Sequence, residues 1–118
     1  GWPMKEYKLQ ISDAAESDLT EIAEHIAFRL REPATALSQI RRIRKAVESL
    51  QAMPERHPLL SDQQLANMGL RMIPVDRYLI FYVVDPSSPA VTVVRVLYGR
   101  REWDSLLKGY VSGSPTKT

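Results

Sequence analysis

The chain has 118 residues, 44% hydrophobic and 25% charged, with 16 basic and 14 acidic side chains and a net charge of +2. That suffices for one domain with one real core, and no apolar run approaches the roughly 20 residues that cross a bilayer. There is no cysteine, and His25 and His57 stand far apart, which excludes disulfides and thiolate metal sites and argues against a zinc or iron centre.

No basic segment followed by an apolar stretch marks a signal peptide, so the expectation is a cofactor-free, metal-free protein of the cytosol with no membrane association. Charge is unevenly spread. Acids gather early, at Glu6, Asp13, Glu16, Asp18, Glu21 and Glu24, and arginines later, at Arg41, Arg42 and Arg44 and at Arg71, Arg77, Arg95, Arg100 and Arg101. A basic surface on a nearly neutral chain can meet an anionic partner or simply be solvated.

In chain order, Gly1-Trp2-Pro3 ahead of Met4 reads as a non-native leader, and a single domain is expected over residues 4–108. Tyr7 to Ile11 alternates apolar Tyr7, Leu9 and Ile11 with polar Lys8 and Gln10, which predicts a half-buried strand. A helix follows from Ser12-Asp13, with Asp13 as cap and Glu16 three residues on, as in a capping box. Leu19, Ile22, Ala23, Ile26 and Leu30 form its apolar stripe and leave Asp18, Glu21, Glu24 and His25 outside. Pro33 opens a second helix, whose face is marked by Ala36, Leu37, Ile40, Ile43, Val47 and Leu50 and whose end is set by Pro54. So short a turn between the helices predicts an antiparallel hairpin laid on a sheet.

Glu55 to Gly69 is the least structured stretch, with room for one helical turn at Gln63 to Asn67. A meander of three strands then begins at Leu70 to Ile73. Tyr78 to Val84 is an uninterrupted apolar run that a buried helix would also allow. The turn clusters Pro74-Val75-Asp76-Arg77 and Asp85-Pro86-Ser87-Ser88-Pro89 on either side decide for a strand. In Val91 to Tyr98, alternation places Val91, Val93, Arg95 and Leu97 on one face and Thr92, Val94, Val96 and Tyr98 on the other. Tyr98-Gly99-Arg100-Arg101-Glu102-Trp103 concentrates guanidinium and aromatic groups beside a glycine. Trp103, Leu106 and Leu107 allow a short terminal helix, and residues 109–118, small and polar, are expected to be disordered.

The fold class is therefore α+β, a four-stranded, mostly antiparallel sheet in the order β-α-α-β-β-β with a helical hairpin on one face and a short terminal helix. That order resembles the RelE/ParE superfamily of toxins from bacterial toxin–antitoxin modules. The resemblance spans nearly all of Met4 to Leu107. It is carried by I-S-D-A-A-E-S-D-L-T-E-I-A-E-H-I (Ile11 to Ile26), Pro33-Ala34, L-Q-A-M-P (Leu50 to Pro54), R-Y-L-I-F-Y-V-V-D (Arg77 to Asp85) and R-V-L-Y-G-R-R-E-W (Arg95 to Trp103).

The resemblance implies a growth-inhibiting protein silenced by a cognate antitoxin, in a toxin–antitoxin hetero-oligomer. RelE-like members cut messenger RNA on the ribosome; ParE-like members block DNA gyrase without nuclease chemistry. A fold shared by both cannot choose between them. RNA cleavage through the 2′-hydroxyl needs a base, charge stabilisation at phosphorus and an acid for the leaving oxygen. On the nuclease reading Arg71 and Arg101 match basic catalytic positions, while Arg77, Tyr78, Arg95, Tyr98, Arg100 and Trp103 would bind the nucleic acid or another target. Glu55 and His57 lie in the right loop for acid–base work. Against it, Tyr78 stands where those nucleases carry a phosphate-binding arginine, and Leu107 where they carry a tyrosine. The density of arginines tilts the sequence reading toward a metal-independent endoribonuclease. The alternatives are a gyrase inhibitor and a non-toxic homologue that keeps only the antitoxin.

Overall fold

The computed structural model describes residues 6–99, 103 and 106–108. The expectations for residues 1–3, for Arg100 and Arg101 and for the tail 109–118 lie outside the described residues. Strand β1 (Lys8–Ile11) leads into helix α1 (Asp13–Glu24), which continues as a π-helical segment, His25–Arg29, before helix α2 (Pro33–Glu48). A short helix α3 (Gln63–Asn67) precedes strands β2 (Arg71–Val75), β3 (Tyr78–Asp85) and β4 (Ala90–Tyr98). Trp103 and residues 106–108 are helical. The sheet order is β1-β4-β3-β2. The meander is antiparallel, but β1 runs parallel to β4, so the sheet is mixed.

Local chemistry explains the boundaries. Ser12, not Asp13, caps α1: its backbone is extended and its hydroxyl accepts from the Ala15 N–H at 3.0 Å. Asp13 and Glu16 then sit in the first turn, where acids complement the helix dipole. Pro33 opens α2, where its missing N–H has no partner to lose. The Asp62 carboxylate caps α3 through Leu65 N–H at 3.1 Å.

Both helices cover one face of the sheet. Ala15, Leu19, Ile43, Val47 and Leu50 pack with Tyr7, Ile73, Ile80, Tyr82, Val91, Val93 and Val96. A second core on the opposite face joins Leu60, Leu65 and Leu70 to Phe81, Val94, Leu97 and Leu107, with Trp103 and Leu106 against it. Two expected stripe residues are excluded: Leu30, just past the π-segment, and Leu37, outside the α2 stripe of Ala36, Gln39, Ile43 and Val47, are both exposed.

Strict alternation also fails in β4. Phe81 pairs with Arg95 and Tyr82 with Val93, which leaves Val94 as the extra residue of a β-bulge. Val91, Val93 and Val96 therefore share the helix side, and Val94 and Leu97 fall on the other, unlike the pattern of alternate residues expected from sequence.

Candidate functional site

Apart from Trp103, the described residues singled out by sequence fall into three places. The first is one end of the sheet. Val75 pairs with Tyr78, so Asp76-Arg77 is a two-residue hairpin turn, with Asp76 in the left-handed region that Asp tolerates. Tyr78 and Tyr98 are cross-strand partners with ring centroids 5.7 Å apart at 64°, an edge contact. Burial raises the Tyr78 phenol above its ordinary pKa, and the neighbouring Tyr98 adds to the shift. Gly99 follows because the chain passes close to the turn: its N–H donates to the Arg77 carbonyl at 2.8 Å, and a Cβ there would lie 3.3 Å from that oxygen. Arg77, Tyr78 and Tyr98 line a groove of about 680 Å³ with Asp18, Glu21 and His25 of the hairpin.

The second place is the underside of α1. Arg95, expected on a binding surface, holds Asp18 with both ends of its guanidinium, Nε to Oδ2 at 2.7 Å and Nη2 to Oδ1 at 2.8 Å. The same carboxylate accepts the Val96 N–H at 2.9 Å, and the Ser12 hydroxyl donates to the Val94 carbonyl at 2.9 Å. Strand β1 stops pairing at Val93, so these two side chains satisfy backbone groups that a longer β1 would have met. Asp18, read from sequence as outward, is buried. The correction has a visible cause, since Asp18 lies between Ala15, Leu19 and Ile22 on the stripe itself. Gln39 is a second polar group on a stripe. It is buried and donates to Asp76 at 2.9 Å, beside an Arg42–Asp76 ion pair of 2.8 Å.

The third place is the loop ahead of β2. Arg71 donates through Nη1 to the carbonyls of His57 at 2.5 Å and Glu55 at 3.3 Å, and lies 3.9 Å from the Glu55 carboxylate. The buried Tyr82 hydroxyl donates to the Pro54 carbonyl at 2.7 Å, and the His57 ring meets the Tyr82 ring edge-on. Burial and then the Arg56 charge lower the His57 pKa, which favours the neutral imidazole. Arg71 and the loop lie beside Tyr82, four residues along β3 from Tyr78, a separation of about 13 Å. On the far face Trp103 packs on Phe81 with centroids 5.2 Å apart, as part of the second core.

The fold thus brings Arg77, Tyr78 and Tyr98 together at the groove, ties Arg95 to the groove's Asp18, and places Arg71 at the loop ahead of β2 and Trp103 in the second core. Among the described residues no group of three His, Cys, Asp or Glu side chains is placed to hold a metal, and no helix is long and apolar enough to cross a membrane.

The sheet, its hairpin and the order of elements are those of the RelE/ParE fold, and a match to a toxin family model over most of the chain makes it a toxin of that superfamily. Within it, residues 9–103 match the family model of the ParE toxin of type II toxin–antitoxin systems, parDE, and the chain belongs to that family. No curated protein matches the chain in sequence. Among solved structures it is similar to a chain of the chromosomal ParDE toxin–antitoxin system of P. aeruginosa, with 19% identity and a TM-score of 0.66, covering 80% of this chain and 97% of that one. It is also similar to a chain of the RelBE2 toxin–antitoxin complex of Mycobacterium tuberculosis, with 18% identity and a TM-score of 0.57, covering 81% and 94%. At such identities the likeness is one of fold.

Proposed function

We propose that this toxin acts by binding a protein target, DNA gyrase as in the ParE-like members, and not by cutting messenger RNA. The observation that carries the reading is the engagement of Arg71 and Arg95. A nuclease of this superfamily needs free guanidinium or ammonium groups on the sheet to meet a phosphate whose charge grows in the transition state. Here Arg71 is spent on the carbonyls of Glu55 and His57, and Arg95 on Asp18. The ParE family match supports the same side. Arg77, Tyr78 and Tyr98, gathered at one sheet end, with Arg100 and Arg101 following in sequence, are the residues we assign to target contact.

The relatives are known as toxin–antitoxin systems, and a cognate antitoxin is the partner proposed for this chain too. Its co-expression should restore growth, and it should co-purify with the toxin.

The reading is tested by primer extension on messenger RNA from cells arrested by the wild-type chain. Transcripts without new 5′ ends in translated frames are expected. New 5′ ends that vanish in Arg71→Ala and Arg101→Ala would overturn the proposal in favour of the ribosome-dependent nuclease.

A further inference from the structure

The turn that carries Arg77 is fixed from both sides by groups outside its own two strands. Asp76 holds a φ of 56°, a conformation that glycine adopts freely and that other residues adopt at some cost. Glycine would close this two-residue turn with less strain; what aspartate adds is its carboxylate. One oxygen, Oδ2, accepts from the Gln39 amide at 2.9 Å and from Arg42 Nε at 2.8 Å, both on α2 and 37 and 34 residues away in the chain. Arg42 is itself held, because its Nη1 donates to the Ser38 hydroxyl at 2.8 Å. On the other side the Arg77 carbonyl accepts the Gly99 N–H at 2.8 Å, which binds the turn to the chain just past β4.

The ion pair in this tie adds little to the stability of the fold. The Arg42 and Asp76 side chains are 50% and 44% exposed, and a pair so open to water is screened and offset by the ordering of its own side chains. What the tie does fix is position. Arg77 is exposed and lines the groove, and no described residue takes its guanidinium in a hydrogen bond or ion pair. The backbone of the turn therefore sets where that guanidinium can reach. We propose that Asp76 is a positioning residue for target contact: by tying the turn to α2, it holds Arg77 at the groove in the place where the target meets it. The inference rests on the assignment of Arg77 to target contact made above. A contact residue ordered beforehand need not be ordered on binding, so loss of the tie weakens association without removing a group that touches the target.

Four variants separate position from contact. Asp76→Gly leaves a backbone free to adopt the turn and removes the carboxylate, whereas Asp76→Asn keeps an accepting oxygen and the tolerance of positive φ. Arg77→Ala removes the contact itself, and the double variant Asp76→Gly with Arg77→Ala removes both. Each chain is released from co-expressed antitoxin by unfolding, refolded and checked by circular dichroism. The readouts are the backbone order parameter at residues 76–78, the affinity for purified DNA gyrase, and the intracellular amount of toxin that arrests growth. Wild type and Asp76→Asn should be rigid at the turn, with order parameters of about 0.85, and should bind and arrest alike; in Asp76→Gly the turn loosens toward about 0.6. Asp76→Gly and Arg77→Ala should each weaken binding and arrest about tenfold, and the double variant should be no weaker than Arg77→Ala alone, because Asp76 acts through its neighbour.

An Asp76→Gly turn that stays rigid, or that variant binding and arresting like the wild type, overturns the proposal. So does an Asp76→Asn as weak as Asp76→Gly, or an Arg77→Ala that arrests like the wild type. A double variant well below Arg77→Ala also rejects it, since Asp76 would then act on the target by another route. If the wild type arrests growth without binding gyrase, the gyrase reading falls by itself, and the arresting amounts with the order parameters still decide for or against Asp76. A wild type that neither binds gyrase nor arrests growth rejects both.

Discussion

Asp18 joins three parts of the molecule through one carboxylate. It belongs to α1, it neutralises Arg95 on β4, and it takes the Val96 N–H that no strand reaches. Breaking a buried pair by removing one member costs about 3–5 kcal/mol, because the desolvated partner keeps its charge. Asp18→Ala should lower the urea midpoint by that much stability, and Asp18→Asn by less, since the amide retains an accepting oxygen; a midpoint unchanged in Asp18→Ala would mean that the pair does not hold the helix to the sheet. Sequence offered a signal for both residues. Arg95 is the lone charge in an apolar strand and Asp18 sits on an apolar stripe, yet spacing cannot match residues 77 positions apart. Tyr82 makes a second prediction at this scale. Burial pushes its phenol up to about 12, so its contribution to stability is complete below the ordinary value near 10. It is then lost as pH rises from there through about 12, because the unfolded phenol ionises first. Ultraviolet titration should find at least one tyrosine, Tyr82, still protonated at about pH 11 in the folded chain; complete ionisation of the described tyrosines by that pH, with the fold intact, would contradict it.

Elements with local signals were legible, and those set by distant partners were not. Pro33 marks the start of α2 and the turn Gln63 to Asn67 forms as the sequence suggests, since both depend on neighbours in the chain. The parallel pairing of β1 with β4 depends on residues some 80 positions on, about which alternation says nothing. The bulge at Val94 is likewise hidden, because Val93, Val94, Val96 and Leu97 are all apolar and no glycine marks it. Two elements make testable claims. Arg71 clamps the loop over Tyr82, so Arg71→Ala should speed amide hydrogen exchange at Glu55 to His57 while leaving β3 protected; unchanged exchange would remove the clamp. At the hairpin turn, the Arg42 and Gln39 hydrogen bonds hold the Asp76 carboxyl below its ordinary pKa. That tie is complete above about pH 4 and is lost as pH falls through the depressed value. The Gln39 side-chain amide resonances should shift only in that acid range, and should be insensitive to pH there in Asp76→Asn.

At the scale of the whole molecule, one sheet separates two cores, the helical hairpin on one side and α3 with the terminal helix on the other. A Lys108–Asp62 ion pair of 3.0 Å ties the terminal helix to the cap of α3. The superfamily was legible because its signature is an order of short motifs that survives at low identity. The target was not, because a density of arginines along the chain does not say which of them face solvent. In the folded chain Arg71 and Arg95 turn inward, while Arg77, Tyr78 and Tyr98 line a groove at one end of the sheet, the place proposed above for target contact. A supercoiling assay with purified toxin, DNA gyrase and relaxed plasmid tests the proposed target most directly. Near-stoichiometric toxin should stop supercoiling and gyrase-linked linear DNA should accumulate, both relieved by the antitoxin. Undiminished supercoiling in the presence of excess toxin that still arrests growing cells would contradict it.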